Sequence, residues 1–256
     1  MLVINVVKLV FLGTGGARVM MAHQWLSTGG IRLEANELQL HLDPGPGALV
    51  KSHEASLDPG ALSAILVTHR HLDHCGDLNA IAEAMTLGGF HKGGQVFLPQ
   101  DALDPADSVL FRYVRSYLED INVLKPNTQY ALGEISFVTS PSHHHGVETY
   151  GQLFQLPGLT LGYLPDTAYF PELAEFYRAD VLIVSMLGKS PHPRVLHLSV
   201  PDVEKLVLAA RPKLTILTHF GVELYRLGPH RVAAEMGERT GLNIVAASDG
   251  ANFVWG

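Results

Sequence analysis

Apolar and polar positions change period several times along the chain, and those changes outline its elements. Short apolar or alternating runs predict strands over Lys8–Leu12, Ile31–Glu34 and Glu37–Leu42, the last two joined around Ala35-Asn36. "DPGPG" at Asp43–Gly47 is a turn by composition. Ala64–Thr68, apolar as far as Val67, reads as a buried strand. From His74 to about Leu87, Leu78, Ile81, Ala82 and Met85 recur at helical spacing, and Ser108–Leu118 reads as another amphipathic helix.

The second half repeats this layout. Strands are predicted at Ile135–Thr139, Tyr150–Leu156, Thr160–Leu164 and Val181–Ser185. A helix follows from about Ser199 to Ala210, with Ser199 as its cap and Asp202 in the capping-box position. Then "LTILTHF", Leu214–Phe220, echoes the earlier "AILVTH": a buried strand, a Thr, a His. Strand groups in both halves, mixed with helices, predict an α/β chain of two sheets packed face to face and covered by helices. No Ser/Gly linker, charge block or low-complexity tract divides it, so residues 1–256 are expected to form one domain.

Composition narrows the function classes. The formal net charge of −7 argues against a general binder of phosphate backbones. The single cysteine, Cys75, excludes an intrachain disulfide and reads as a small buried side chain early in a helix. The apolar opening "MLVINVVKLVFLGTGG" is interrupted by Lys8 and runs into a Gly turn. It therefore reads as a first core strand rather than a signal peptide, and a cytoplasmic setting without a membrane partner is expected.

"VTHRHLDH" carries the chemistry. In extended backbone His69 and His71 point the same way and can reach one point. Asp73 and His74 fall where the chain turns into a helix, near a second point. Read blandly, Asp73 caps that helix, which leaves three adjacent imidazoles without a reason. Imidazole plus carboxylate suits zinc, whereas calcium or magnesium would require oxygen throughout. Two ions need more ligands than these four. "SPSHHHGVETYG" offers His143, His144 and His145, "LGYLPDTAYF" offers Asp166, and "LTILTHF" offers His219.

"THRHLDH" resembles the HxHxDH signature of the metallo-β-lactamase superfamily, and the later His, Asp and His follow that superfamily's order. The similarity runs from "FLGTGGA" through "HLDPGPG" to "LTHFG". It implies the four-layer αββα sandwich of the metallo-β-lactamase fold and a hydrolase with two divalent metal ions, zinc foremost, with manganese or iron admitted. It assigns His69, His71 and His145 to one metal, Asp73, His74 and His219 to the other, and Asp166 to both. His145 is chosen because relatives place this ligand before a short loop ending in Gly plus a strand, as in "HGVETYG"; His144 is the fallback. Asp43 matches an acidic residue that orients a ligating His from beneath the site.

Within the superfamily the chain is most similar to the tRNase Z and cyclic phosphodiesterase branch, on "HPRVLHLSVPDVEKLV" and "RPKLTILTHF". That likeness points to His197, with Asp73, as the catalytic residues. His197 precedes a helix whose free N–H groups are expected to favour an anion. The implied reaction is attack by hydroxide, available at neutral pH on two metals, on a phosphodiester of the cyclic or small nucleotide type. The substrate is expected to be small and anionic, and a homo-oligomer is left open.

The alternatives are hydrolysis of a thioester, lactone or carboxylic ester, and endoribonuclease activity like that of tRNase Z. A non-enzymatic metal-binding role ranks below these. Val184-Ser185-Met186-Leu187 stands where tRNase Z has His-Glu-Ala-Thr, and no basic Gly/Pro-rich arm separates His74 from His145; both weigh against tRNA. Pro165 stands where Gly usually precedes the bridging Asp. A redox role lacks a dinucleotide fingerprint, since "GTGGA" has the wrong spacing. Phe90–Leu132 and Met186–Leu196 are expected to shape the pocket rim.

Overall fold

The computed structural model describes residues 6–256; Met1 to Asn5 of the apolar opening lie outside the described residues. The first half carries strands β1 (Val7–Phe11), β2 (Ile31–Ala35), β3 (Leu38–Leu42), β4 (Ala64–Leu66), β5 (Gln95–Pro99) and β6 (Asp120–Leu124). Helices α1 (Ala17–His23), α2 (Ala48–Glu54), α3 (Leu72–Cys75) and α4 (Leu78–Met85) lie between them. The second half carries β7 (Gln129–Leu132), β8 (Ile135–Thr139), β9 (Gln152–Leu156), β10 (Leu159–Leu164), β11 (Val181–Ser185), β12 (Leu214–Thr218), β13 (Ile244–Ala246) and β14 (Asn252–Trp255). Its helices are α5 (Leu173–Phe176), α6 (Val200–Ala210), α7 (Val222–Leu227) and α8 (Pro229–Thr240).

Two seven-stranded sheets result, ordered β14-β1-β2-β3-β4-β5-β6 and β13-β12-β11-β10-β9-β8-β7. Each is antiparallel on one side and parallel on the other, over β3 to β6 in the first and β10 to β13 in the second. Strand alternation explains the layers. Val181 and Ile183 point into the core between the sheets, whereas Leu182 and Val184 pack under α5, α6 and α8. Leu66 faces the central core, while Ile65 and Val67 pack against α4. Burial on both faces is why these strands read as unbroken apolar runs. Helix, sheet, sheet, helix is the αββα sandwich.

Parallel strands send their carboxyl ends to one edge, and ligands bind in the crevice outside those ends. Asp43 follows β3, His69 follows β4, Asp166 follows β10 and His219 follows β12.

Three expectations change. The helix expected from His74 to Leu87 is two helices, broken at Gly76-Asp77. Asp77 turns aside because its N–H donates to Pro44 O at 2.9 Å and its carboxylate accepts from the N–H groups of Gly47 and Leu49 that open α2. Ser108–Leu118 is not a helix beyond one 3-10 turn at Val114–Tyr117. Side chains have captured its backbone: Asn79 takes Val109 O and Phe111 N, and Ser108 and Arg115 both donate to Leu110 O. Much of Phe90–Leu132 is sheet rather than rim, since it contributes β5, β6 and β7. Cys75 is buried, 3% exposed, at the end of α3.

Candidate metal centre

The turn after β4 presents His69 and His71, and α3 carries Asp73 and His74. Asp166 ends the run from β10, His219 ends the run from β12, and His145 comes from the loop between β8 and β9. These seven side chains meet in two sets, His69/His71/His145 and Asp73/His74/Asp166/His219. In the first, His71 Nδ1 lies 3.1 Å from His69 Nε2 and 3.0 Å from His145 Nε2. In the second, His219 Nε2 lies 3.1 Å from His74 Nε2 and 3.3 Å from Asp73 Oδ2. Asp166 reaches both: Oδ2 is 3.5 Å from His145 Nε2 and 3.4 Å from His74 Nε2, and Oδ1 is 3.3 Å from His219 Nε2.

Tautomers follow from the outer partners. A carbonyl can only accept, so His145 Nδ1–H donates to Leu196 O at 2.9 Å and leaves the Nε2 lone pair facing the cluster. His74 Nδ1–H likewise donates to Asp43 Oδ2 at 2.9 Å. The Thr68 hydroxyl donates to Asp43 Oδ2 at 2.8 Å, so its oxygen accepts from His69 Nδ1–H at 3.0 Å. His69, His74 and His145 are thus each held with a bare nitrogen turned inward, as metal-ligating histidines are.

Charge balance tests the fit. Asp43 and Asp166 are buried and Asp73 is largely shielded beside them, and among the described residues no Lys or Arg pairs with any of the three. Buried uncompensated carboxylates are costly. Asp166 Oδ1 is buried without a hydrogen-bond partner. The histidines respond in opposite directions. Burial first, then His74, drives His69 well below its usual range, and burial takes His145 down to about 4. Burial would lower His74 too, but Asp166, Asp73 and Asp43 together raise it well above. Neutral imidazoles on one side and unbalanced carboxylates on the other form a donor set for divalent cations. Edges of a tetrahedron around zinc with bonds of about 2.0–2.1 Å are about 3.3–3.4 Å, close to the spacings here.

The backbone behind the cluster leaves no slack. Gly16 abuts the His219 ring so closely that a Cβ there would lie 2.2 Å from Nδ1. Ala17 N–H donates to Asp73 Oδ2 at 2.8 Å, with Ala17 in the left-handed region at φ 65°. Asp43 at φ 50° and His219 at φ 63° share that conformation, which non-glycine residues adopt only when the surroundings hold them there.

His145 is the member of the His triplet that the fold brings to the cluster. His143 turns away and bonds Asp166 O at 3.1 Å and Tyr177 Oη at 2.9 Å. His144 stacks on Phe170 at 4.5 Å. His197 does reach the site, with Nδ1 3.5 Å from Asp166 Oδ2 and its ring stacked on His219 at 5.5 Å. The anion-binding helix start expected beside it is not free. Val200 N–H donates to Gly188 O at 3.2 Å, Pro201 has no N–H, and Ser199 with Asp202 closes the capping box.

Two contributors escaped the sequence reading. Tyr163, from β10, donates its hydroxyl to Asp43 Oδ2 at 2.7 Å, and Ala17 N–H fixes Asp73. A tyrosine in a buried strand needs a partner for its hydroxyl, which was the available signal.

The family description "Beta-lactamase superfamily domain" matches residues 39–220. The chain belongs to the metallo-β-lactamase superfamily. Uncharacterized protein MJ1374 of Methanocaldococcus jannaschii is 31% identical over 250 residues, covering 94% of this superfamily member and 92% of that protein. Among solved structures, the metallo-β-lactamase fold protein YhfI from Bacillus subtilis superposes with a TM-score of 0.82 at 17% identity, covering 98% of this chain and 100% of that one. A diphosphatase from the PhnP family gives 0.74 at 20% identity, covering 98% and 97%. These likenesses establish the metallo-β-lactamase fold. The His/Asp clusters of this superfamily member are consistent with a binuclear metal site.

Proposed function

We propose that the protein is a metal-dependent phosphodiesterase acting on a small anionic substrate. One observation carries the reading: His145, Asp166 and His197 form a third cluster, so an imidazole stands just beyond the two ligand sets. Bound at those sets, two divalent ions supply Lewis acidity toward a phosphoryl oxygen and make hydroxide available at neutral pH. His69, His71 and His145 would hold one ion, Asp73, His74 and His219 the other, and Asp166 both.

The remaining work belongs to the chain. Asp43 fixes the His74 ring and, through the Thr68 hydroxyl, the His69 ring, so neither nitrogen can turn from the substrate side. His197 Nδ1 rests against Asp166, and its Nε2 is left to bind a phosphoryl oxygen or protonate a departing alkoxide. Leu196 ties His197 to the site, because its carbonyl accepts from His145. That a structural neighbour is described as a diphosphatase supports phosphorus over carbon as the reacting centre.

A panel of bis-p-nitrophenyl phosphate, cyclic nucleotides, thioesters and lactones tests the reading. Turnover of a phosphodiester is expected, reduced about 10²- to 10⁴-fold by His197→Ala with metal content kept. Turnover of thioesters or lactones alone would replace phosphodiester by acyl chemistry. An unaltered rate in His197→Ala would remove that residue from the mechanism.

A further inference from the structure

Arg18 is the residue that this reading leaves without a task. It follows Ala17, whose N–H donates to Asp73 Oδ2 at 2.8 Å, so its Cα lies about 3.8 Å from that anchored residue. The anchor is firm on both sides. Gly16 N–H donates to Phe220 O at 3.2 Å, Phe220 N–H donates to Thr14 O at 2.8 Å, and Gly16 packs on the His219 ring.

From this fixed point the Arg18 side chain is exposed and makes no ion pair or hydrogen bond among the described residues. Arg70 differs: it is ion-paired with Asp107 and donates to Asp101 O at 3.2 Å. Arg18 also lies close enough to His71 for its charge to act there, behind burial and nearer groups.

The two segments that flank the site here are one-sided in their own charge. Glu34 is the first acidic residue of the chain, so α1 and the turn before it carry none. The loop that brings His197 carries Lys189 and Arg194, with no acid between Asp180 and Asp202. That loop meets the carboxylates of Glu223, which accepts from Lys189 N–H at 3.0 Å, and of Asp166, which lies 3.5 Å from His197 Nδ1. Acids gather instead around Arg70, at Asp101, Asp107 and Glu148. Within a chain of net charge −7, α1 and the His197 loop thus carry basic residues and no acid of their own, with Asp249 held by the N–H groups of Thr14 and Ser27 on either side of α1.

We propose that Arg18 is a specificity-determining residue that binds a second phosphate group of the substrate, beyond the phosphorus that reacts. The assignment rests on the phosphodiesterase reading and deepens it. A guanidinium offers paired donors to phosphate oxygens, and an unpaired one gives up no existing partner to do so.

Two matched probes test this on the metal-loaded protein. Thymidine 3′,5′-bisphosphate and thymidine 5′-monophosphate, titrated calorimetrically, differ only in the second phosphate. The p-nitrophenyl 5′-phosphodiesters of thymidine, with and without a 3′-phosphate, give the matching KM values. Wild-type protein should favour the doubly phosphorylated member of each pair about tenfold. Arg18→Ala should reduce that ratio to about one, and Arg18→Lys should restore most of it. Preference should also shrink between low and high salt.

A ratio in Arg18→Ala equal to that of wild type, with the thermal midpoint unchanged, overturns the proposal. So does a wild-type ratio near one. Either result leaves the phosphodiesterase reading standing if the singly phosphorylated diester is cleaved. Failure to bind or cleave any of the four compounds removes that reading itself, and this proposal with it.

Discussion

Tyr163 donates its hydroxyl to Asp43 Oδ2 at 2.7 Å, joining β10 of one sheet to the end of β3 in the other directly beneath the candidate metal centre. Asp43 spends its remaining capacity on Thr68 N–H, the Thr68 hydroxyl and His74 Nδ1–H. A single carboxylate therefore sets the rings of His69 and His74 and ties the two halves of the sandwich together. Burial, followed by Asp43 itself, pushes the Tyr163 phenol well above its ordinary range, so it remains a donor.

Tyr163→Phe removes that donor with almost no change in volume. Hydrogen bonds to charged groups contribute about 1.5–3 kcal/mol, so urea denaturation should show a loss of that size. Metal affinity, measured by chelator competition, should weaken about tenfold, in line with other outer-partner losses. An unchanged affinity would mean that Asp43 holds His74 without help.

The His triplet separates by role. His145→Ala should lower metal stoichiometry by about one equivalent per chain, because it removes an inward nitrogen. His144→Ala should leave stoichiometry intact, since that ring only stacks on Phe170. His143→Ala should keep both ions and lose stability, because Asp166 O and Tyr177 Oη lose a shared partner. Metal analysis beside thermal melting distinguishes the three. Loss of an ion in His144→Ala would contradict the assignment.

Away from the site, His41 sets a pH dependence. Burial pushes its imidazole down to about 3, and the neutral ring bonds Gly29 O at 2.8 Å. In the unfolded chain it titrates near 6.5. Between those values the unfolded state binds the extra proton, so stability is full above pH 6.5 and falls as pH drops toward 3. The slope from this group is at most about 1.4 kcal/mol per pH unit. His41→Gln keeps an N–H for Gly29 and removes the titration. Denaturant midpoints at several pH values should show a shallower acid decline in the variant; identical slopes would mean that His41 is not buried neutral.

The sequence made the sandwich legible because strands buried on both faces leave continuous apolar runs. The alternation over Ile135–Thr139 and the apolar run Val181–Ser185 predict strands with the bounds that the structure shows. It made the His/Asp clusters legible because few reasons other than metal gather imidazole and carboxylate at strand ends. Three features were hidden by their nature. β14 pairs with β1 across almost the whole chain, which no local pattern reveals. The Ser108–Leu118 segment has helical spacing, yet Asn79 from outside it and its own Arg115 claim its backbone groups. At α6, the box formed by Ser199 and Asp202 was visible in the sequence, but not its consequence that the helix start has no free N–H for an anion.

The most direct test of the account is the metal content of the protein after loading with zinc, manganese or iron and removal of excess. About two equivalents per chain are predicted for the wild type, and at most one for Asp166→Ala, because its carboxylate reaches both ligand sets. A wild-type chain that holds no ion after loading, or an Asp166→Ala chain that still holds two, would contradict it.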